Sequence, residues 1–337
     1  MGSRVLTGNT EKHLALERKL AEFLQKPSAV LFNYGYLGVI GTITAMIGPS
    51  DMVLMDKLCH ASIVDGTLLA SMGRRFRTFK HNDMDHLESR LQAANKNRKG
   101  GILIVTEGVY GFRGDVADLK GICALKEKYQ ARLFMDDAHG FGVMGENGIG
   151  AGEYCGVQDK IDFSFGTFAK AFAAIGGVTA GEETPIRYIK YNARTHVFAK
   201  SLPMVFVDAI SASLDLIKNH PEYRERMWAI AKRLQDGFKE LGYDIGDTVT
   251  PITPLYVPVP TDEQKMGMQM VRMLREDYGV FCSGVVYPVV PRGIAVFRMI
   301  PTAAHSEEDV DITLKAFAEL RDRLKLDLSV KPSLMNR

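Results

Sequence analysis

Residues 132–140 read RLFMDDAHG. A short apolar run, Leu133-Phe134-Met135, ends in two carboxylates, and a histidine follows three residues after the first of them. A run this short bounded by polar groups predicts a buried strand with a polar exit. Five further runs share the texture: SAVLFN (28–33), DMVLMD (51–56), RRFRTFK (74–80), GILIVTE (101–107) and DFSFGT (162–167). Between them lie amphipathic stretches such as MDHLESRLQAANK and LKGICALKEKYQ. Strands alternating with helices imply βαβ units and a largely parallel sheet.

The chain of 337 residues has room for a large domain and a smaller one. Hydrophobic residues at 46% exclude disorder as the main state, and 42 basic against 40 acidic residues exclude nucleic acid as the main partner. Cys59, Cys123, Cys155 and Cys282 form no CxxC pair, which argues against a disulfide scaffold or a zinc cluster and fits a cytoplasmic protein. No signal core or membrane-spanning run is present, so membrane contact would be peripheral, at the inner membrane.

The segment NTEKHLALERKLAEFLQ predicts a first helix with Leu16, Leu20, Phe23 and Leu24 on one face and Asn9 or Thr10 as its cap. A long helical region follows Pro203 and runs to Leu241, with a break at His220-Pro221. A second αβ region closes the chain. Its last helix opens at Ser306-Glu307-Glu308-Asp309, a capping-box pattern. Residues 1–225 are expected to form the large domain and 226–337 the smaller one.

Open parallel sheets carry their sites at the carboxyl ends of the strands. Polar residues gather there: Thr106-Glu107, Asp136-Asp137 with His139, Thr167 with Lys170, and Cys59-His60. Each alone has a plain structural explanation. Asp136 and His139 read as a helix cap and a surface histidine, Lys170 as a snorkelling lysine, Gly35-Tyr36 as an ordinary βα turn, and His60 as a satisfied structural histidine. Together they describe more. Lys170 sits among small and apolar residues that should strip its hydration and lower its pKa, as a Schiff-base lysine requires. Gly35 and Tyr36 open a helix whose N–H groups suit a phosphate, with Thr167 able to assist. The set suits a planar, phosphorylated aldehyde, pyridoxal 5'-phosphate.

The segments GNTEKHLALE (8–17), HASIVDG (60–66), EGVYGFRGD (107–115), DDAHGFGVMG (136–145), GTFAKAFAAIGG (166–177), YPVVPRG (287–293) and FRMIPTAAH (297–305) resemble the α-oxoamine synthases in order and content. The resemblance covers nearly the whole chain. It implies an α/β fold, the fold-type I pyridoxal-phosphate transferase fold, with a mostly parallel sheet sandwiched by helices and a smaller C-terminal αβ domain. It implies an enzyme that condenses an amino acid with an acyl-CoA and releases CoA and CO2. By this resemblance Lys170, His60, Asp136 and His139 form the catalytic set: Lys170 the Schiff-base lysine, Asp136 the partner of the pyridine nitrogen, His60 the stacking ring, and His139 the contact to the ring hydroxyl. Asp137 takes a structural role. Gly35 and Tyr36, with Thr167, match the phosphate site, Glu107 matches an acidic site residue, and Ser201 resembles a residue that reaches the partner subunit's phosphate. Arg298, with Thr302 nearby, matches the holder of the substrate carboxylate. A homodimer with a shared active site is implied.

The texture of HNDM (81–84), GVYGFRGD (108–115), YNARTHVFAKSLPM (191–204) and VVYPVVPRGI (285–294) is most similar to bacterial serine palmitoyltransferases, which implies L-serine and palmitoyl-CoA as substrates and 3-oxosphinganine as product. Glycine C-acetyltransferase and 8-amino-7-oxononanoate synthase are the alternatives, and a non-catalytic homologue acting as a binding partner is the reading of another class. The family's N-terminal segment has no counterpart before Met1. Gly111 stands where the family often has Ser, Leu37-Gly38 where Ala-Asn is common, and Arg113 where many members are acidic.

Overall fold

The computed structural model describes residues 2–73, 75–96, 98–259 and 262–333. They form two compact units, one of Met1–Tyr110 with Val116–His220 and one of Gly111–Asp115 with Pro221–Arg337.

The first unit runs α1 (Glu11–Phe23), β1 (Ser28–Phe32), α2 (Gly35–Met46), β2 (Met52–Asp56), α3 (Ala61–Ser71), β3 (Phe76–Phe79), α4 (Met84–Lys96), β4 (Ile102–Glu107), α5 (Leu119–Lys128), β5 (Arg132–Asp136), α6 (Ala151–Tyr154), β6 (Phe163–Thr167), β7 (Gly177–Gly181), α7 (Glu183–Asn192), α8 (Arg194–Val197) and α9 (Met204–Asn219). Its seven strands lie in the order β1-β7-β6-β5-β4-β2-β3. The pairs β2–β3, β2–β4, β4–β5 and β5–β6 are parallel, and only β7 runs antiparallel to both its neighbours.

Alternation along the strands builds a core on each face, as burial on both sides of a covered sheet requires. In β1, Ala29 and Leu31 join Leu16, Leu20, Val207 and Ile210 from α1 and α9. The intervening Val30 and Phe32 join Val39, Ile43, Ile63, Ile186 and Ile189 from α2, α3 and α7. The predicted apolar face of the first helix is the buried face of α1. Thr10 is its N-cap residue but makes no capping side-chain bond.

The second unit comprises α10 (Pro221–Glu240), β8 (Thr253–Pro258), α11 (Glu263–Tyr278), β9 (Ser283–Val285), β10 (Ile294–Met299) and α12 (Glu307–Leu324). The strand order is β8-β10-β9, antiparallel throughout. Ala295, Phe297 and Met299 of β10 pack with Phe238, Leu274 and Phe317 from the helices, while Val296 packs with Tyr256 and Ile294 in a separate cluster. Period-two alternation therefore sets Arg298 on the same face as Val296. The capping box at Ser306 forms, with Ser306 Oγ accepting from the Asp309 N–H and the Asp309 carboxylate accepting from the Ser306 N–H. Among the described residues no helix is long and apolar enough to cross a membrane.

Candidate active site

The carboxyl ends of β4, β5 and β6 bring the acidic groups together. Glu107 and Asp136 are directly paired across the β4–β5 ladder, and Asp136 pairs with Phe165, two residues before Thr167. Asp136 is 4% exposed. Its Oδ1 accepts the Ala138 N–H at 3.1 Å. Burial raises its pKa to about 6, a rise opposed by that hydrogen bond and by the charge on Lys170.

His139 follows, half-buried, in a turn closed by the Gly140 and Phe141 N–H groups on the Asp137 carbonyl. Asp137 is buried beneath this turn, and Oδ2 accepts the Ala151 N–H at 2.6 Å. Burial raises its pKa to about 7. A methyl group at Gly108, Gly140 or Gly150 would lie within 2.3, 2.2 or 1.9 Å of its carboxylate oxygens. Only glycine leaves room for this buried post.

The start of α2 meets the end of β6. Tyr34, its N-cap residue, offers no capping side chain, so the first N–H groups of the helix stay open to an anion. A methyl group at Gly35 would lie 2.6 Å from Thr167 Oγ1. The missing side chain is thus what lets the helix begin against the threonine. Tyr36 Oη donates to Asp65 Oδ2 at 2.5 Å and ties this start to α3.

Lys170 lies in the turn between β6 and β7, which closes through the Ala173 N–H on the Lys170 carbonyl and the Phe168 N–H on the Gly176 carbonyl. Its charge acts on both Asp136 and His60. The expected stripping of its hydration does not occur in the single chain, where Lys170 is exposed. The reason is steric. Phe168 and Phe172 pack downward into the core, and the flanking Ala169 and Ala171 are themselves exposed and too short to shield an ammonium.

His60 is the N-cap of α3. Its Nδ1 accepts the Ser62 N–H at 3.2 Å, and its own N–H donates to Glu107 Oε1 at 2.7 Å. Desolvation lowers its pKa, and Lys170 lowers it further. The imidazole is therefore neutral at pH 7. Sequence reading had no signal for the Glu107 bond, because its donor is a backbone group far away in the chain.

Ser201 is 4% exposed, its N–H donates to the Gly2 carbonyl, and a methyl group at Gly8 would lie 2.5 Å from its Oγ. Residues near the start of the same chain cover it. In the single chain its hydroxyl therefore does not reach outward.

In the second unit, Arg298 Nη1 donates to the Gly111 carbonyl at 2.9 Å, and its guanidinium carbon lies 5.2 Å from the Phe112 ring centre. Burial lowers its pKa from a value so high that the group stays charged. Arg113 pairs with Asp115 at 3.0 Å. Thr302 is exposed and engages His305, whose Nδ1 accepts the Thr302 N–H at 2.9 Å.

The family described as aminotransferase class I and II matches residues 1–317. The chain is 45% identical over 328 residues to a cysteate-C-fatty acyltransferase of Capnocytophaga ochracea, covering 96% of this chain and 77% of that protein. It is 39% identical over 320 residues to a serine palmitoyltransferase of Bacteriovorax stolpii, covering 95% and 74%. Among solved structures, a serine palmitoyltransferase of Sphingomonas wittichii superposes with a TM-score of 0.90 at 31% identity, covering 96% of this chain and 79% of that one.

Proposed function

We infer the function from one premise: the chain belongs to the class I and II aminotransferase family and, within it, to the α-oxoamine synthases. It is a pyridoxal-phosphate-dependent acyltransferase that joins an amino acid to an acyl group. The observation that carries the site assignment is the convergence of a buried carboxylate, an amine and an open helix start at one edge of the sheet. Asp136 is buried and feels the charge of Lys170, and Gly35 lies against Thr167.

These residues fit the cofactor. The free N–H groups of α2 and the Thr167 hydroxyl offer donors to a phosphate. Lys170 supplies the amine for an aldehyde. Asp136, a buried carboxylate at the end of β5, suits a cationic ring nitrogen. When bound, pyridoxal phosphate supplies an electron sink for a carbanion at the amino-acid Cα.

The chain's own groups do the rest. Lys170 Nζ takes the Cα proton and returns one after CO2 has left. Burial raises the pKa of Asp136 to about 6 even against the Ala138 hydrogen bond and the charge of Lys170. A facing cation draws that value down, so the carboxylate stays ionised and holds the proton on the ring nitrogen. His60, neutral, stacks on the ring without adding a charge that opposes this. His139 contacts the ring hydroxyl. Arg298 holds the amino-acid carboxylate through a planar fork. A homodimer completes the proposal.

For the substrates, we propose L-cysteate and a long-chain acyl thioester. The supporting observation is the 45% identity with the cysteate enzyme over nearly the whole chain. L-Serine with palmitoyl-CoA is the second reading, supported by the 39% relative and by the motif texture. In either case the acyl carbonyl bonds to Cα, the thiolate departs, and the carboxylate leaves as CO2.

The test has two arms. Protein loaded with pyridoxal phosphate is reduced with borohydride and digested. The pyridoxyl group is expected on Lys170, and its appearance on another lysine overturns the site. L-Cysteate, L-serine and glycine are then each offered with palmitoyl-CoA, and free CoA is measured. Release with cysteate supports the first reading. Release with serine alone moves the assignment to the second, and release with none rejects a palmitoyl-CoA condensation.

A further inference from the structure

The reaction leaves one buried cluster without a task. Asp56 ends β2 with its side chain 1% exposed, and the His81 side chain beside it is 9% exposed. Asp56 Oδ1 accepts the Leu58 N–H at 2.8 Å, and Oδ2 accepts the Asn82 N–H at 3.3 Å. His81 Nδ1 lies 3.2 and 3.1 Å from the two oxygens. An ionised carboxylate only accepts, so Nδ1 carries the proton. The His81 ring stands edge-on to Tyr110, with centroids 4.4 Å apart at 80°, and Tyr110 Oη lies 2.7 Å from Thr106 Oγ1.

Asn82 continues the cluster. Its backbone is left-handed, with φ of 50°. Its Nδ2 donates to the Val116 carbonyl at 3.0 Å, and its Oδ1 accepts the Asp118 N–H at 3.0 Å. Val116 bridges to Val109, and the Ala117 N–H donates to the Gly108 carbonyl. Two adjacent residues after β3 are thus bonded to the exit of β2 and, through the Val116–Asp118 segment, linked to the exit of β4.

Those two exits carry the two partners of one hydrogen bond. The Asp56 side chain and carbonyl shape the turn through Leu58 and Cys59 that delivers His60. The Thr106–Tyr110 segment carries Glu107, which accepts the His60 N–H. A staple that served packing alone would have no reason to join these two loops in particular. We propose that Asp56, His81 and Asn82 form a positioning clamp that sets the height and tilt of His60 over the cofactor ring, acting through the Glu107–His60 bond. The clamp touches neither substrate nor cofactor. Its effect on the ring rests on the cofactor reading above, whereas its effect on the loop does not.

Two His81 variants separate the donor from the bulk of the ring. His81→Asn sets an amide nitrogen near the position of Nδ1, and His81→Leu removes the donor. Three quantities are measured: amide exchange of residues 57–62 in the cofactor-free protein, the visible circular dichroism of the protein with bound pyridoxal phosphate, and the dissociation constant of that cofactor. Thermal unfolding reports folding in parallel. His81→Leu is expected to speed exchange of 57–62 and weaken cofactor binding about tenfold, the scale seen when outer hydrogen bonds behind a bound group are removed. It is also expected to change the dichroic band, and His81→Asn to restore all three. A folded His81→Leu with parental exchange and dichroism overturns the proposal, as does a His81→Asn no better than His81→Leu. If His81→Leu does not fold, Asn82→Gly replaces it, since it keeps the backbone conformation and loses both side-chain bonds; the same outcomes then decide. Parental protein that binds no pyridoxal phosphate overturns the cofactor reading instead, and the exchange arm still judges the clamp.

Discussion

The backbone N–H of His60 donates to Oε1 of Glu107 at 2.7 Å, joining the first turn of α3 to the last residue of β4. Glu107 is buried and neighbours Asp136 across the ladder, so two carboxylates lie close together there. Serving as a backbone acceptor gives it a partner in a place where an unpaired charge is unfavourable. It also fixes the residue proposed to stack on the cofactor.

Glu107 variants should therefore divide by acceptor rather than by charge. Glu107→Gln keeps a carbonyl oxygen for the His60 N–H and is expected to unfold near the parental urea midpoint. Glu107→Ala leaves that N–H without its acceptor and is expected to lose about 1–3 kcal/mol. Equal losses in both variants would show that charge, not the backbone bond, is what matters.

The fit of Gly35 against Thr167 predicts a coupling. Gly35→Ala forces a methyl group to 2.6 Å from Thr167 Oγ1. Overpacking of this kind costs about 1–3 kcal/mol. Thr167→Ala removes the oxygen, so the double variant is expected to lose less stability than the two single losses added together. A coupling of at least ~0.5 kcal/mol in urea unfolding of the cofactor-free protein meets the expectation, and strict additivity rejects it.

Burial of Asp136 sets a pH dependence. Its pKa is raised from 3.8 to about 6 in the folded chain. Between those values the unfolded chain releases a proton that the folded chain keeps. Stability therefore falls as pH rises from about 4 to 6, by on the order of 3 kcal/mol. Asp137, raised to about 7, acts in the same direction. His196 opposes them: burial depresses it to about 4, so its contribution rises with pH between about 4 and 6.5. Asp136→Asn should make the cofactor-free protein relatively more stable at pH 8 than at pH 4.5, and should abolish turnover. A variant that loses ground to the parent on going to pH 8 contradicts the sign.

The strand ends were legible because each buried run stops at a polar residue, and parallel topology then gathers those stops on one edge. The break at His220-Pro221 and the cap at Ser306 were legible because both signals are local. Strand β7 was not. Gly177–Gly181 carries small residues where strands favour branched ones, and the fold needs them small: a methyl group at Gly177 would lie 2.9 Å from Phe165, and at Gly181 2.5 Å from the Asp162 carbonyl. Nor was the exposure of Lys170, since composition does not reveal that both nearby phenylalanines turn inward. The Asp56–His81 pair and the Arg298–Gly111 bond join groups far apart in the chain, and no local pattern announces such a meeting.

A buried ion cluster beneath β1 gives the sharpest stability test. Glu17 Oε1 accepts the Leu31 N–H at 3.1 Å and pairs with Arg4 Nη2 at 3.0 Å, while Oε2 pairs with Lys190 Nζ at 3.0 Å. The Arg4 and Glu17 side chains are 8% and 4% exposed, but that of Lys190 is 27% exposed. Removing one member of a buried pair strands the other, at about 3–5 kcal/mol. Removing a partly solvated member leaves far less unpaired. Glu17→Ala is therefore expected to lose about 3–5 kcal/mol in urea unfolding, and Lys190→Met no more than about 1 kcal/mol. The pKa of His196, raised by Glu17 and lowered by Arg4, should fall further in Glu17→Ala, because the arginine then acts without its counter-charge. Comparable losses in the two variants would mean that Lys190, rather than Arg4, is the partner on which the cluster depends.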